Sequence, residues 1–181
     1  MTGNQRMGAL AVGVFALDQL TKQAVIRNLH GREKIVLDGF FKLVDWHNSG
    51  AAWSSFTGNN ELLAIVSLIA FLGLFIWRDH FDTRSVWGQV SLGLMFGGIL
   101  GNLADRLFMG HVVDFLRFYL HTRSGSEAGF PAFNVADSAI CVGVGLLFIL
   151  SWKQGPTGNA SADAAGHSGS DSSSKNAGSV S

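Results

Sequence analysis

Four apolar stretches separated by polar ones set the plan of this chain. Met7–Ala16 is apolar and the pattern resumes at Ala24–Ile26, with the polar DQLTK (Asp18–Lys22) between them. Leu62–Trp77 carries no charge and is bounded by Glu61 and Arg78; Val86–Leu103 and Ala139–Trp152 follow as the third and fourth runs. At a rise of about 1.5 Å per residue, runs of this length reach across about 30 Å of hydrocarbon, with local thinning of the bilayer where they are short. They predict four membrane-spanning helices, the first the weakest and dependent on packing against the others. In the third, Gly93, Gly97 and Gly101 recur every four residues, the small-residue stripe of close helix contact in membranes. One further step of four reaches Asp105, with Arg106 beside it, so the packing face carries a carboxylate.

The polar connections have their own patterns. KIVLDGFFKLVDWHN (34–48) is rich in β-branched and aromatic residues, with Asp38-Gly39 between two runs, a hairpin signal. It predicts a small sheet outside the bilayer, too short for a core of its own and therefore laid against the membrane or the helix ends. The small residues of NSGAAWSS (Asn48–Ser55) form either an ordinary connection or a loop whose backbone approaches a ligand. RDHFDTR (Arg78–Arg84) is a tight charged loop. His111–Arg123 mixes apolar residues with Arg117, His121 and Arg123 and is expected as a short amphipathic or irregular surface segment, followed by a flexible link at Ser124–Gly129. Asn134–Asp137 fits a helix N-cap with an acid at the third position, and Asn134, Asp137, Ser138 and Cys141 share one face of the helix that follows. From residue 154 Gly, Ser, Ala, Asn and Asp dominate and no aromatic remains, so the tail cannot bury enough apolar area to fold. The fold class is thus an all-α membrane protein with a small β element. The expected units are a helical domain at 1–153, with a β-rich insertion at about 32–55, and a disordered tail at 154–181.

Composition agrees. Charged residues make up 14% of the 181, against roughly 25% in soluble domains. The formal net charge of zero argues against a nucleic-acid partner. A lone cysteine, Cys141, excludes an internal disulfide and a zinc site of the CxxC kind. The first apolar run contains Asp18 and Lys22 and no clear cleavage signal follows it, so it reads as retained. Four spans put both termini on one side, but charge does not name that side. Arg6, Arg78, Arg84 and Lys153 flank one end; Arg27, Arg32, Lys34, Lys42, Arg117 and Arg123 flank the other.

The candidate chemistry lies in the carboxylates. Asp114 follows the third span and Asp137 opens the fourth, so both fall on one side of the membrane. Two close carboxylates share one proton: the ionised member takes a proton from water and the protonated one polarises a carbonyl, as in aspartic proteases. This needs no metal or other cofactor. Asp18 and Lys22, four apart on a helix, can pair, either as a self-neutralising helix-end pair or as a brace for a site. No HExxH, GxSxG or phosphate-binding glycine loop is present. Three alternatives stand beside the dyad. One is a metal held by Asp105, Asp114, Asp137 and His111, another a small transporter or proton relay, since intramembrane carboxylates mark ion paths, and the third a scaffold whose acids cap helices.

DQLTK (18–22), NSGAAWS (48–54), GNLADR (101–106), VVDF (112–115) and FNVADS (133–138), in this order and spacing, give the chain a resemblance to the lipoprotein signal peptidases, the signal peptidase II family, over roughly Met7–Trp152. The resemblance implies a bacterial inner-membrane aspartic endopeptidase with four spans, cytoplasmic termini and an extracytoplasmic β-cradle. The implied substrate is a prolipoprotein carrying diacylglycerol on its lipobox cysteine, cut just before that cysteine near the leaflet surface. Membrane phospholipids and peptide inhibitors of the globomycin type are the other implied partners. Asp114 and Asp137 match the catalytic aspartates. Asn102 and Arg106 match residues that contact substrate or inhibitor, and Asp105 a supporting acid. Asn48 and Asn134 match site-lining or site-adjacent polar residues, and Asp18 and Lys22 a bracing pair. The chain departs from the pattern at Trp53, where phenylalanine is commoner, at Ala104, where a larger apolar residue is usual, and in a somewhat long connection from Asp114 to Asp137.

Overall fold

The computed structural model describes residues 1–50, 59–81, 83–123 and 125–153. The expectations for the loop beyond Gly50, including Trp53, and for the tail from 154 fall outside the described residues. Four helices are long and apolar enough to cross a membrane: α1 (Gly3–Leu29), α2 (Asn60–Trp77, continued by a short 3-10 turn to His80), α3 (Val86–Phe108) and α4 (Val135–Lys153). Between them lie β1 (Lys34–Leu37), β2 (Phe41–Asn48), β3 (Val112–His121) and β4 (Glu127–Gly129), an antiparallel sheet in the order β1-β2-β3-β4.

Helix α3 is central and packs along both α1 and α4. The glycine stripe explains how. A Cβ on Gly97 would lie 2.6 Å from the Ala11 carbonyl oxygen and 2.7 Å from Val14 Cβ, and one on Gly101 would lie 2.6 Å from an Asp18 carboxylate oxygen. Only hydrogen fits in these gaps, so α1 and α3 meet backbone to backbone, as small-residue stripes allow where water supplies no hydrophobic drive. Leu92 and Phe96 pack with Met7 and Ala11 to form the buried core. Helix α2 leans on α3 and leaves Ile65, Ile69, Leu72 and Ile76 exposed, as a lipid-facing helix does.

Helix α1 runs unbroken through DQLTK. Asp18 and Lys22 are 0% and 1% exposed in mid-helix, so the helix-end alternative for this pair does not hold. The Asp38-Gly39 hairpin forms as expected. Gly39 adopts φ +70°, the left-handed conformation that favours glycine, and its N–H donates to the buried Tyr119 hydroxyl at 3.1 Å.

Two expectations are corrected. His111–Arg123 is not an irregular or amphipathic surface segment, because Val112–His121 is a ten-residue strand paired with β2. Its Val, Phe and Tyr content suits a pleated, half-buried surface, and its charges interrupt the alternation that reveals a strand in sequence. Nor is Ser124–Gly129 simply a flexible link, since Glu127–Gly129 pairs with Tyr119–His121. The sheet therefore draws half its strands from beyond the insertion at 32–55.

The close α1–α3 approach predicts a specific sensitivity. Gly97→Val should force the helices apart and cost about 1–3 kcal/mol. Gly13→Val, where a Cβ meets nothing within 4 Å, should be neutral. Thermal midpoints of the two variants in detergent check this.

Candidate active site

Three elements bring the two candidate aspartates together. Asp114 lies on β3, buried, and Asp137 lies in the first turn of α4. Before α4 the chain bends back along β3. Phe115 N and Leu116 N donate to the Phe133 carbonyl at 3.0 and 2.8 Å, and Phe133 N donates to the Leu116 carbonyl at 3.0 Å. This bridge carries FNVADS to the strand that bears Asp114.

The β2–β3 register does the rest. Leu43 pairs with Leu116, a ladder that continued evenly would set Asp45 against Asp114, two carboxylates face to face. Instead the register slips between Leu43 and Trp46, and Asp114 pairs with Trp46. Asn48, two residues on, then shares the face of Asp114 and donates its amide N–H to Asp114 Oδ2 at 2.8 Å. Gly50 N donates to Asn48 Oδ1 at 2.9 Å, which fixes the amide orientation.

Asn134 is fully buried and touches both acids. Its Nδ2 donates to Asp114 Oδ1 at 2.9 Å, and its Oδ1 accepts the Asp137 N–H at 2.9 Å. Asp137 Oδ2 in turn accepts the Asn134 N–H at 3.2 Å, a reciprocal helix cap. The expected capping role of Asp137 is therefore real, and it uses one carboxylate oxygen. The other accepts from Asn102 Nδ2 at 2.7 Å.

Beneath the aspartates lies a buried ionic cluster. Lys22 Nζ is 2.7 Å from both Asp18 Oδ2 and Asp105 Oδ2 and donates to Asn102 Oδ1 at 3.0 Å. Asp18 Oδ1 accepts the Ala136 N–H at 2.9 Å, and Asp105 Oδ2 the Val113 N–H at 3.3 Å. Gln19 adds an amide between Gly101 O and Asp105 Oδ1, at 3.2 and 2.8 Å. Asp105 is thus committed to the cluster and not to the pair above it, and His111 stacks on His47 at 4.1 Å between ring centroids. The four groups of the metal alternative are not gathered. Among the described residues, no three or more His, Cys, Asp or Glu side chains form a group that could hold a metal ion.

Asp114 and Asp137 line a cavity of about 880 Å³ at the sheet end of the bundle, together with Asn48, Asn102 and Arg106. This volume suits a peptide segment or a small ligand. Residues 129–133 form one stretch of its wall, and Trp46, His47 and Arg117 come from the sheet. Arg106 reaches Asn102 O at only 3.4 Å, and its buried Nε has no hydrogen-bond partner among the described residues. Burial pushes the Asp114 carboxyl up to about 7 against the pull of its Asn48 hydrogen bond, and the Asp137 charge pushes the same way. Burial lowers the His111 pKa, and the neighbouring His47 adds to that.

The expected site residues Asn48, Asn102, Arg106, Asn134, Asp114 and Asp137 all meet at this cavity or bond directly to its acids. Asp18, Lys22 and Asp105 sit one layer below. Gln19, Trp46, Arg117 and the Gly129–Phe133 wall were not singled out in the sequence. Gln19 lies inside the quoted DQLTK motif, the one available signal for it.

Residues 10–153 match the protein family described as Signal peptidase (SPase) II. The lipoprotein signal peptidase of Geobacillus thermodenitrificans is 41% identical over 141 residues, covering 77% of this chain and 85% of that protein. The lipoprotein signal peptidase of Nostoc punctiforme is 40% identical over 144 residues, covering 79% and 87%. A solved structure described as a bacterial membrane enzyme superposes with a TM-score of 0.67 at 33% identity, covering 80% of this chain and 91% of that one.

The ionic cluster predicts a stability effect. Lys22→Met leaves two buried carboxylates without their cation and should cost about 3–5 kcal/mol. Adding Asp18→Asn and Asp105→Asn should recover much of that loss. Thermal midpoints of the single and triple variants test it, and a triple variant no more stable than the single would contradict it.

Proposed function

This chain belongs to the signal peptidase II family of aspartic peptidases and cleaves signal peptides from prolipoproteins, and we propose that Asp114 and Asp137 are the two carboxylates that carry out the cleavage. One observation carries this assignment. The two acids line a single cavity, and Asn134 hydrogen-bonds to both. The peptidase unit is residues 1–153, with 154–181 a dispensable tail.

The reaction follows from the unequal surroundings of the pair. Asp114, whose pKa is raised to about 7, holds the shared proton, and Asp137 is the ionised partner. Asp137 takes a proton from water as the water oxygen bonds to the scissile carbonyl carbon. Asp114 gives its proton to the carbonyl oxygen, and a gem-diol forms. Asp137 then passes its proton to the amide nitrogen as the C–N bond breaks, and a gem-diol proton returns to Asp114. One water is consumed and the pair regains its starting state. Asn48, Asn102 and Asn134 hold the carboxylates in place through amide donors, and the Arg106 guanidinium, which lines the same cavity, is a donor for a substrate carbonyl.

The substrate is a prolipoprotein with a diacylglyceryl-modified cysteine, cut immediately before it. The sheet end of the bundle is the extracytoplasmic one, and the termini are cytoplasmic. In that orientation the lipid stays in the outer leaflet while the bond to be cut reaches the cavity. A peptide inhibitor of the globomycin type would occupy the same cavity.

Asp114→Asn and Asp137→Asn should each abolish cleavage of a lipid-modified precursor while the protein still inserts and folds. Normal cleavage by either variant would remove the pair. The pH dependence has a definite sign. The Asp114 pKa is raised, so its proton is held below about 7 and lost above it, leaving two carboxylates and no acid. The rate should fall about tenfold per pH unit on the alkaline side. A rate that holds level to pH 9 would contradict the assignment of the proton.

A further inference from the structure

A second ionic cluster lies on the sheet, and the cleavage chemistry does not use it. Lys42 on β2 is 3% exposed and holds two carboxylates, Glu33 at 2.5 Å and Glu127 at 2.7 Å. Arg117, paired with Lys42 across the ladder, reaches the same two acids, at 3.4 Å to Glu127 and 4.0 Å to Glu33. Two cations thus face two anions. The Lys42 ammonium also sits 4.8 Å from the Tyr119 ring centroid, and the Arg117 guanidinium 4.5 Å from that of Trp46.

Ion pairs whose carboxylates are this open to solvent are weak evidence for stability, because water screens most of the attraction. What this cluster has is geometry. It ties together four segments, the turn before β1, then β2, β3 and β4, and two of its contacts lead to the cavity. Arg117 and Trp46 both line it. Glu127 begins β4, whose continuation Gly129–Phe133 is the cavity wall. Strand β4 has three residues, all exposed, so no apolar packing holds it. Its backbone is held by the short ladder to β3 and, just beyond, by the Phe130 N–H bond to the Phe118 carbonyl at 3.0 Å, and the Glu127 carboxylate adds a side-chain anchor.

We infer that Glu127 is a positioning residue for the substrate. Through Lys42 and Arg117 it steadies the start of the 129–133 wall and keeps the Arg117 guanidinium by the Trp46 ring, where both line the cavity. The sheet side of the site is then shaped before the precursor arrives, and binding does not have to order it. This inference rests on the cavity being the place where the precursor is cut. Glu127 does not touch either aspartate, so its loss should weaken binding and leave the chemical step alone.

The test uses the full chain and a lipid-modified precursor. Glu127→Gln removes the charge at constant size and should raise KM about threefold or more with kcat within about twofold of the parent. Glu127→Asp, which keeps a carboxylate, should recover part of that loss. A purely structural role would instead lower the thermal midpoint and the active fraction, and so kcat, with KM unmoved. An unchanged KM in Glu127→Gln, or a fall in kcat alone, overturns the inference. Should Glu127→Gln not fold, Arg117→Lys takes its place. It keeps the charge but loses the guanidinium that contacts Trp46, and should raise KM in the same way, while an unchanged KM overturns the inference. Asp114→Asn separates the two levels. If it is inactive and KM does not move in Glu127→Gln, only the positioning role falls. If it is active, the cavity is not the cleavage site and the positioning role falls with it.

Discussion

The Lys22 ammonium, held between Asp18 and Asp105, is the constraint on which the site depends. An unpaired charge within a membrane span is costly, so Lys22 must find its partners, and they come from its own helix and from α3. Each carboxylate also accepts a backbone N–H. Asp105 takes the N–H of Val113, the residue before Asp114, and Asp18 takes the N–H of Ala136, the residue before Asp137. One buried cation therefore fixes the backbone immediately ahead of both cavity acids. Its third contact, to Asn102 Oδ1, leaves the Asn102 amide N–H to point at Asp137. The glycine at 101 is the condition for all of this, because a side chain there would occupy the space of the Asp18 carboxylate.

The sheet supplies the second constraint. The register slip in β2 keeps Asp45 away from Asp114 and turns Asn48 towards it, while Asp45 is used elsewhere, accepting the Gly31 N–H at 2.8 Å after the end of α1. The Phe133 bridge folds the start of α4 onto β3. Helices and sheet thus approach the pair from opposite sides, the helices through Lys22 and Asn102, the sheet through Asn48. The buried acids gather at one end of the bundle, which suits a site at the bilayer surface better than an ion path through it.

Much of this was legible in the sequence. Apolar runs marked the helices, Asp-Gly marked the hairpin, and the glycine stripe led by its own spacing to Asp105. The acids announced themselves because carboxylates are rare in so apolar a chain. What stayed hidden depends on partners far along the chain. Strand β3 looked irregular because its pairing partner lies some seventy residues earlier, and Arg117, a surface charge in sequence, is drawn inward by Glu33, Glu127 and the Trp46 ring. Gln19 is unremarkable beside Asp18 until α3 is placed against it. The four-residue spacing of Asp18 and Lys22 implies a pair, but only the fold shows it as the centre of three helices.

The fold also makes two identical side chains unequal. Asp114 is buried on a strand, and its amide hydrogen bonds do not offset the loss of water around it. Asp137 sits in the first turn of α4, where its carboxylate accepts the Asn134 backbone N–H. The asymmetry arises from secondary structure, with one acid on a strand and the other at a helix start, and so it is built into the topology rather than into any additional residue.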